Sequence, residues 1–287
     1  MADHGIASPW PCLKIQRFRI FKNNMAGTPA PLISFDLAEL DPEGTALFLD
    51  FDGTLADFAE RPDAVSVPLP TRKVLARLEE STSGALAIVT GRPINDIDRF
   101  LAPLRLPVAG VHGLERRTAE GKISTEAVDE HVISLIAGKL KEFTDRNPGT
   151  VFETKQGSIA LHFRQRPELA EACSETVHEA VGDLKGLHIL PGKMVIEVKS
   201  GRATKADAVA AFMEESPFRG RLPLFAGDDV TDEDAFHEIA RENGVSIKIG
   251  NGDTAAGYRS ENTDAFRKWL GRLADNFDAR QLTKQGS

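Results

Sequence analysis

"ALFLDFDGTLADF", residues 46–58, carries an apolar run into two aspartates one residue apart, followed by Gly-Thr. On a strand, residues i and i+2 point to one side, so Asp50 and Asp52 leave the strand end facing the same way. Two readings are open. The stretch is a buried strand that ends in an Asp-Gly turn, or its two acids converge on a cation and a reaction. Hard divalent ions such as Mg²⁺ take oxygen ligands and keep part of their shell for water and a substrate phosphate. An ionised aspartate is a competent nucleophile toward phosphorus, and a second can act as acid toward the leaving oxygen and base toward water. The spacing is not that of an EF-hand, whose loop needs alternating acids, a sixth-place glycine and a glutamate at twelve.

Two further apolar runs end in polar, glycine-containing turns: "ALAIVTGR" (85–92) and "LPLFAGDD" (222–229). Continuous apolar strands suit a parallel sheet covered on both faces. Between the first two runs, "LPTRKVLARLEEST" (69–82) has the spacing of an amphipathic crossover helix, and "PVAGVHG" (107–113) and "VSIKIG" (245–250) read as more strands, the latter after a helical pattern over 231–242. The alternation predicts a doubly wound, mostly parallel α/β sheet, a Rossmann-like core. Ligands in that architecture sit beyond the carboxyl ends of the strands, where all three polar turns fall.

The middle of the chain reads differently. "VFETKQGSIALHFR" (151–164) and "GLHILPGKMVIEVK" (186–199) each look like two strands around a glycine turn, preceded by helical stretches near 126–146 and 168–182. They predict a smaller α+β unit at 117–199, inserted into a core formed by 32–116 and 200–287. Residues 1–31 read as a disordered leader with a Pro-rich linker, lacking the uninterrupted apolar stretch of a secretory signal, and the tail after Asn276 is expected to fray.

Composition narrows the function classes. The 287 residues are 41% hydrophobic and 27% charged, with a net charge of −8. An acidic chain argues against nucleic acid as the main partner, since phosphate backbones need a basic face. No apolar run reaches the roughly 18 residues that a bilayer span needs. Cys12 and Cys173 are the only cysteines, which favours a reducing, cytoplasmic setting over a disulfide framework.

Other residues could join Asp50 and Asp52. Asp228 and Asp229 follow an apolar strand and could complete a cation site. Thr231 with Asp234 fits a capping-box-like helix start, and Asp232 and Glu233 favour a first turn through the helix dipole; Asp232 is equally readable as a ligand. The Thr90 hydroxyl and the Gly91 N–H could cradle an oxyanion. Lys205 opens the helix of "GRATKADAVAAF", where a cation works against the dipole. It is either a solvated surface lysine or the charge balance of a carboxylate-rich, phosphate-binding site. A glycine-rich dinucleotide fingerprint is absent after the first strand, and there is no P-loop.

Strand–"DFDGT", strand–"TG", a lysine opening a helix and strand–"GDDVTDED", in that order, resemble the haloacid dehalogenase superfamily of phosphotransferases. The insert occupies the position of that superfamily's larger caps. "LFLDFDGTL", "VTGRP", "GVHGLE" and "GDDVTDEDAF" together resemble the trehalose-6-phosphate phosphatase family. The resemblance implies a Mg²⁺-dependent phosphatase in trehalose biosynthesis, acting on a small sugar phosphate. Asp50 would be the nucleophile and Asp52 the acid and base. The metal would be held by Asp50, the Asp52 carbonyl and Asp228, with Asp229 close by, and the phosphoryl group by Thr90, Gly91 and Lys205. The family's sugar-contacting pattern falls on Glu153, Lys155, Arg164, Lys193 and Glu197, whose charges are otherwise the solvent side of half-buried strands. Arg92 and His112 are further candidates that could equally brace the loops. The alternatives are a phosphatase or phosphomutase for another sugar phosphate, or a catalytically silent sugar-phosphate sensor.

Overall fold

The protein is described from a computed structural model covering residues 28–59, 64–125, 130–155, 157–184, 187–192, 194–201 and 204–285. In chain order its elements are β1 (Ala30–Pro31), β2 (Thr45–Leu49), α1 (Leu69–Ser81), β3 (Leu86–Val89), α2 (Ile94–Leu101), β4 (Val108–Gly110), β5 (Glu115–Arg117) and β6 (Ile123–Thr125). A second unit follows: α3 (Glu130–Arg146), β7 (Val151–Lys155), β8 (Ser158–His162), α4 (Ala170–Val181), β9 (Leu187–Gly192) and β10 (Val195–Ser200). The chain then returns through α5 (Lys205–Met213), β11 (Leu222–Gly227), α6 (Glu233–Arg241), β12 (Val245–Ile249), β13 (Tyr258–Ser260) and α7 (Thr263–Gln285).

The apolar runs became strands because both of their faces are covered. Along β2, Leu47 and Leu49 join a core with Leu75, Leu78, Ile97 and Phe266, whereas Ala46 and Phe48 join another with Val209, Phe212 and Phe236. The two cores are the two sides of one sheet, α1, α2 and α7 covering one and α5 and α6 the other. The nine-stranded sheet runs β1-β13-β12-β11-β2-β3-β4-β5-β6. It is parallel from β1 to β4 and ends in the antiparallel β5–β6 hairpin. The doubly wound, mostly parallel core expected from the sequence is therefore present.

The large sheet continues to Thr125, past the 116/117 boundary expected for the insert. "ERR" and "IST" carry no apolar run; β5 pairs antiparallel with β4, and β6 with β5. Arg117 is nonetheless buried, held by Asp98 at 2.6 Å and by the Leu106 carbonyl at 2.7 Å. The separate unit is a four-stranded antiparallel sheet, β7-β8-β10-β9. Its core joins Ile159, Leu161, Ile196 and Val198 to Ile136, Leu140 and Val177 of α3 and α4, with the free Cys173 buried among them.

Both chain ends depart from expectation. Of the leader expected over 1–31, residues 1–27 lie outside the described part, and Ala30–Pro31 pair with Tyr258–Arg259 as a parallel edge strand. Proline is tolerated there because an edge leaves one side of the ladder open. The tail does not fray at Asn276: α7 continues to Gln285, and Phe277 is fully buried. Arg77 of α1 clamps α7 through Asp275 at 2.7 Å and Asp278 at 2.6 Å, and Thr263 bonds the Gly53 carbonyl at 2.9 Å. No helix of the described residues is long and apolar enough to cross a membrane.

Truncating a buried phenylalanine costs about 3–5 kcal/mol. Phe277→Ala should therefore lower the thermal midpoint by roughly 6–20 °C, measured by circular dichroism. A change under about 2 °C would show that the end of α7 contributes no core.

Candidate active site

The chain leaves β2 toward β3 on one side, while β11 pairs with β2 on the other, so the crevice between β2 and β11 is the topological switch point. Asp50 and Asp228 follow these two strands, and the Asp50 N–H donates to the Ala226 carbonyl at 2.9 Å. The turn after Asp52 must be tight. Gly53 has φ +75°, and a Cβ there would overlap the Asp228 carboxylate. Glycine supplies both the left-handed backbone and the clearance.

Carboxylate oxygens of Asp50, Asp228 and Asp232 lie within 4.8 Å of one another. Lys205 reaches into this group, its Nζ 2.7 Å from Asp50 Oδ1 and 2.6 Å from Asp232 Oδ1. Lys205, Asp50 and Asp232 are all buried. Burial pulls the Lys205 pKa down, but Asp232 and Asp50 outweigh it and hold the ammonium charged well above its ordinary range. Burial raises the Asp50 carboxyl; Lys205 opposes it, and the Asp232 and Asp228 charges add to it. Burial, reinforced by Asp232, pushes Asp228 up to about 7. One ammonium among three carboxylates, two of them buried and Asp228 partly so, leaves negative charge uncompensated, and an all-oxygen donor set of this kind fits a hard divalent cation.

The third member of the cluster is Asp232, not Asp229. The Asp229 side chain is exposed, and its backbone N–H donates to Asp232 Oδ2 at 2.8 Å. The helix accordingly starts through a 3₁₀ turn over Val230–Asp232 capped by Asp229 and Asp232, in place of the Thr231–Asp234 box expected from the sequence. Asp232 thus caps the turn with one oxygen and binds Lys205 with the other.

Asp52 lies beside the cluster, and both of its oxygens are taken by Arg92: Nε to Oδ2 at 2.5 Å and Nη2 to Oδ1 at 2.7 Å. The guanidinium is held over the Phe51 and Phe100 rings, 5.8 and 5.0 Å from their centroids. Thr90 is buried at the end of β3, next to β2, and its Oγ1 accepts the Arg92 N–H at 3.2 Å. Gly91 packs so closely on His112 that a Cβ would sit 2.7 Å from the ring Nε2. His112 itself takes φ +54° to reach that place.

Strand register explains the cap residues. Glu197 lies opposite Ala160 and Leu190, Lys199 opposite Ser158 and His188, and Glu153 opposite Ala160. The intervening Ile159, Leu161, Ile196 and Val198 face α3 and α4. Glu153 and Glu197 therefore share the helix-free face of the cap sheet, and Lys155 occupies the same set of register positions. Glu197 accepts the Ser158 hydroxyl at 2.6 Å and reaches His112 of the core at 3.3 Å, while Lys199 donates to the His112 carbonyl at 3.1 Å. Glu153 pairs with His162 at 3.2 Å. Arg164 is exposed in the turn after β8, and Lys193 lies outside the described residues. A cavity of about 350 Å³ opens between cap and core, lined by His112, His188, Lys199, Lys205, Thr231 and Glu233 among others.

Against this geometry, the sequence model of the trehalose-phosphatase family matches residues 48–267. The chain belongs to the trehalose-phosphatase family. Trehalose-6-phosphate phosphatase of Escherichia coli K12 is 38% identical over 225 residues, covering 78% of this chain and 85% of that protein. A probable trehalose-phosphate phosphatase of Sinorhizobium fredii is 41% identical over 214 residues, covering 73% and 79%. Among solved structures, the C-terminal domain of C. albicans trehalose-6-phosphate phosphatase superposes with a TM-score of 0.73 at 20% identity, covering 81% of this chain and 92% of that one. At that identity the likeness speaks for the fold.

The residues that sequence reasoning underrated are Asp232, which a capping role accounts for equally well, and Lys248, a lysine inside the apolar run "VSIKIG".

A cation that binds only the folded state stabilises it by about 2.7 kcal/mol at a hundredfold excess over its Kd. Mg²⁺ should therefore raise the thermal midpoint by roughly 5–11 °C, and Asp228→Asn should remove most of that shift. An unchanged midpoint with Mg²⁺, Mn²⁺ and Ca²⁺ would mean that the cluster is not a cation site.

Proposed function

We propose that the protein hydrolyses trehalose 6-phosphate to trehalose and phosphate through an aspartyl-phosphate on Asp50. The observation that carries this reading is the buried group at the switch point: Asp50 bridged by Lys205 to Asp232, with Asp228 beside them. Family membership supplies the substrate, since the relatives that cover most of this chain are named for it.

Asp50 attacks phosphorus with a carboxylate oxygen as the bond to the sugar oxygen breaks, and Asp52 gives that oxygen its proton. Asp52 then takes a proton from water, whose oxygen attacks phosphorus and frees Asp50. Lys205 keeps Asp50 oriented and offsets its charge. Asp50, Asp228 and Asp232 would hold Mg²⁺, with the Asp52 carbonyl and Asp229 as the remaining sequence-based candidates. When bound, the ion supplies charge stabilisation to the transferring phosphoryl group and to the carboxylates around it. Thr90 and the Gly91 N–H would receive phosphoryl oxygens at the end of β3.

Arg92 acts here through Asp52. The planar fork fixes the plane of the Asp52 carboxylate, which a lysine could not do, and it yields one of the two oxygens when Asp52 carries the proton. The cap reads the sugar: Glu197, Glu153 and Lys155 come from one sheet whose helix-free face turns toward the core, Lys193 is the remaining sequence-based candidate, and carboxylates and ammonium groups suit a polyol. Arg164, in a turn, would contribute at the rim. The cavity between cap and core gives the disaccharide room while shielding the reaction from water.

Asp50→Asn should abolish phosphate release from trehalose 6-phosphate while the circular dichroism spectrum stays unchanged; appreciable turnover would remove Asp50 as nucleophile. Arg92→Ala should lower kcat on trehalose 6-phosphate with little change in KM, and should spare p-nitrophenyl phosphate more, because its leaving group needs no proton. A KM effect alone would make Arg92 a sugar contact. Glu197→Ala should weaken kcat/KM for trehalose 6-phosphate by roughly 10- to 100-fold and leave p-nitrophenyl phosphate nearly untouched. Equal losses on both substrates would mean that the cap does not read sugar.

A further inference from the structure

Lys248 is a charged residue inside a strand whose residues are all buried. On β12, Val245, Ile247 and Ile249 belong to one core, so Lys248 emerges on the opposite face of the sheet, beside α6. Its register partner is Gly227, the last residue of β11. From there its Nζ donates to the Asp228 carbonyl at 2.6 Å, lies 3.5 Å from the Asp229 carbonyl and stands 3.7 Å from Glu233 Oε1. Only 5% of the side chain is exposed. A lysine is rarely buried to this extent without a partner, and these partners are the backbone of the two aspartates that follow β11 and the first residue of α6.

We infer that Lys248 is a positioning residue of the cation site: it pins the peptide after Asp228, and so aims the Asp228 carboxylate at Asp50 and Asp232. The inference rests on the cation-dependent reading above and adds a residue to it. Geometry and charge make opposite predictions. The strand end has no other side chain clamping the Asp228 carbonyl among the described contacts, so losing Lys248 frees the peptide that sets the carboxylate. At a pH well above 7, where Asp228 is ionised and where cation affinity is to be measured, removing a positive charge near a cation site, and leaving Glu233 without its counter-ion, would on charge alone tighten cation binding. Groups that orient metal ligands commonly cost 10–100-fold in metal affinity when removed, so the positioning role predicts a loss.

The test is a calorimetric titration of the full chain with Mg²⁺ and Mn²⁺, without substrate, at a temperature where every variant is folded by circular dichroism. Lys248→Met should weaken cation affinity by roughly tenfold or more, and Lys248→Arg, which keeps a charged donor, should recover most of it. Should Lys248→Met not fold, Lys248→Gln retains an amide donor, lacks the reach and charge of lysine, and carries the same prediction. Ser246→Ala is the structural control. Ser246 is buried on the same strand and accepts the Gly257 N–H at 3.0 Å, so its loss should lower the thermal midpoint and leave cation affinity alone. Unchanged or tighter binding by Lys248→Met, or an equal loss in Ser246→Ala, overturns the positioning role. A wild-type chain that binds neither cation overturns the cation-dependent reading itself, which is a separate result.

Discussion

Lys205 between Asp50 and Asp232 is the interaction on which the site depends. Its ammonium is nearly inaccessible to water and sits 2.7 and 2.6 Å from the two carboxylates. Burying such groups separately would cost several kcal/mol each, and removing one partner of a buried pair costs about 3–5 kcal/mol because a lone charge stays behind. The arrangement holds only if three distant segments end at one place: β2 with Asp50, the turn before α6 with Asp232, and the start of α5 with Lys205. The parallel sheet does this by placing the carboxyl ends of β2 and β11 side by side. The unfavourable position of Lys205 at a helix N-terminus is met locally. Thr204 and Asp207 form a reciprocal capping box, with Thr204 N to Asp207 Oδ2 at 2.8 Å and Asp207 N to Thr204 Oγ1 at 3.1 Å, so an acid answers the dipole within the first turn of the helix.

The same logic separates what was legible in the sequence from what was not. β2, β3, β11 and β12 are apolar because helices cover both sheet faces, and that requirement writes uninterrupted runs. Asp50, Asp228 and Lys205 stand out because each breaks a local pattern: acids at a strand end, a cation at a helix start. Asp232 does not, since it satisfies the capping pattern while serving the cluster, so one chemical role hides behind another. β5 and β6 are short, polar and held by backbone pairing, and they leave no hydrophobic period to detect. The end of α7 reads as polar because most of its turns face solvent; its burial comes from Phe277 and from ion pairs with α1, a partner some two hundred residues away. Long-range partners of that kind are invisible to any window along the chain.

Lys248 marks the opposite case. Its anomaly is local and visible, a lysine among valine and isoleucines, yet its meaning is not, because the groups it serves come from the neighbouring strand. A buried charge inside a strand predicts a partner without naming it. Here the partners are main-chain carbonyls, which carry no sequence signature.

The cap and the core meet through a short relay that joins the helix-free face of the cap sheet to the carboxyl end of β3. Glu197 projects from the helix-free face of the cap sheet to His112, and the His112 ring rests on Gly91, next to Thr90. The relay has a strict spatial requirement at each link. A side chain at Gly91 would drive His112 away, and His112 holds its place only with a left-handed backbone, a conformation that residues with a Cβ adopt at some cost. Register makes the cap half of the relay: shifting β10 by one residue would turn Glu197 into the cap core and bring Val198 to the core domain. On the proposed reading, the chemistry at phosphorus would be set by where strands end, and the recognition of what carries the phosphate by which face a strand presents. Glu197, in contact with both Ser158 of the cap and His112 of the core, is where the two settings are joined.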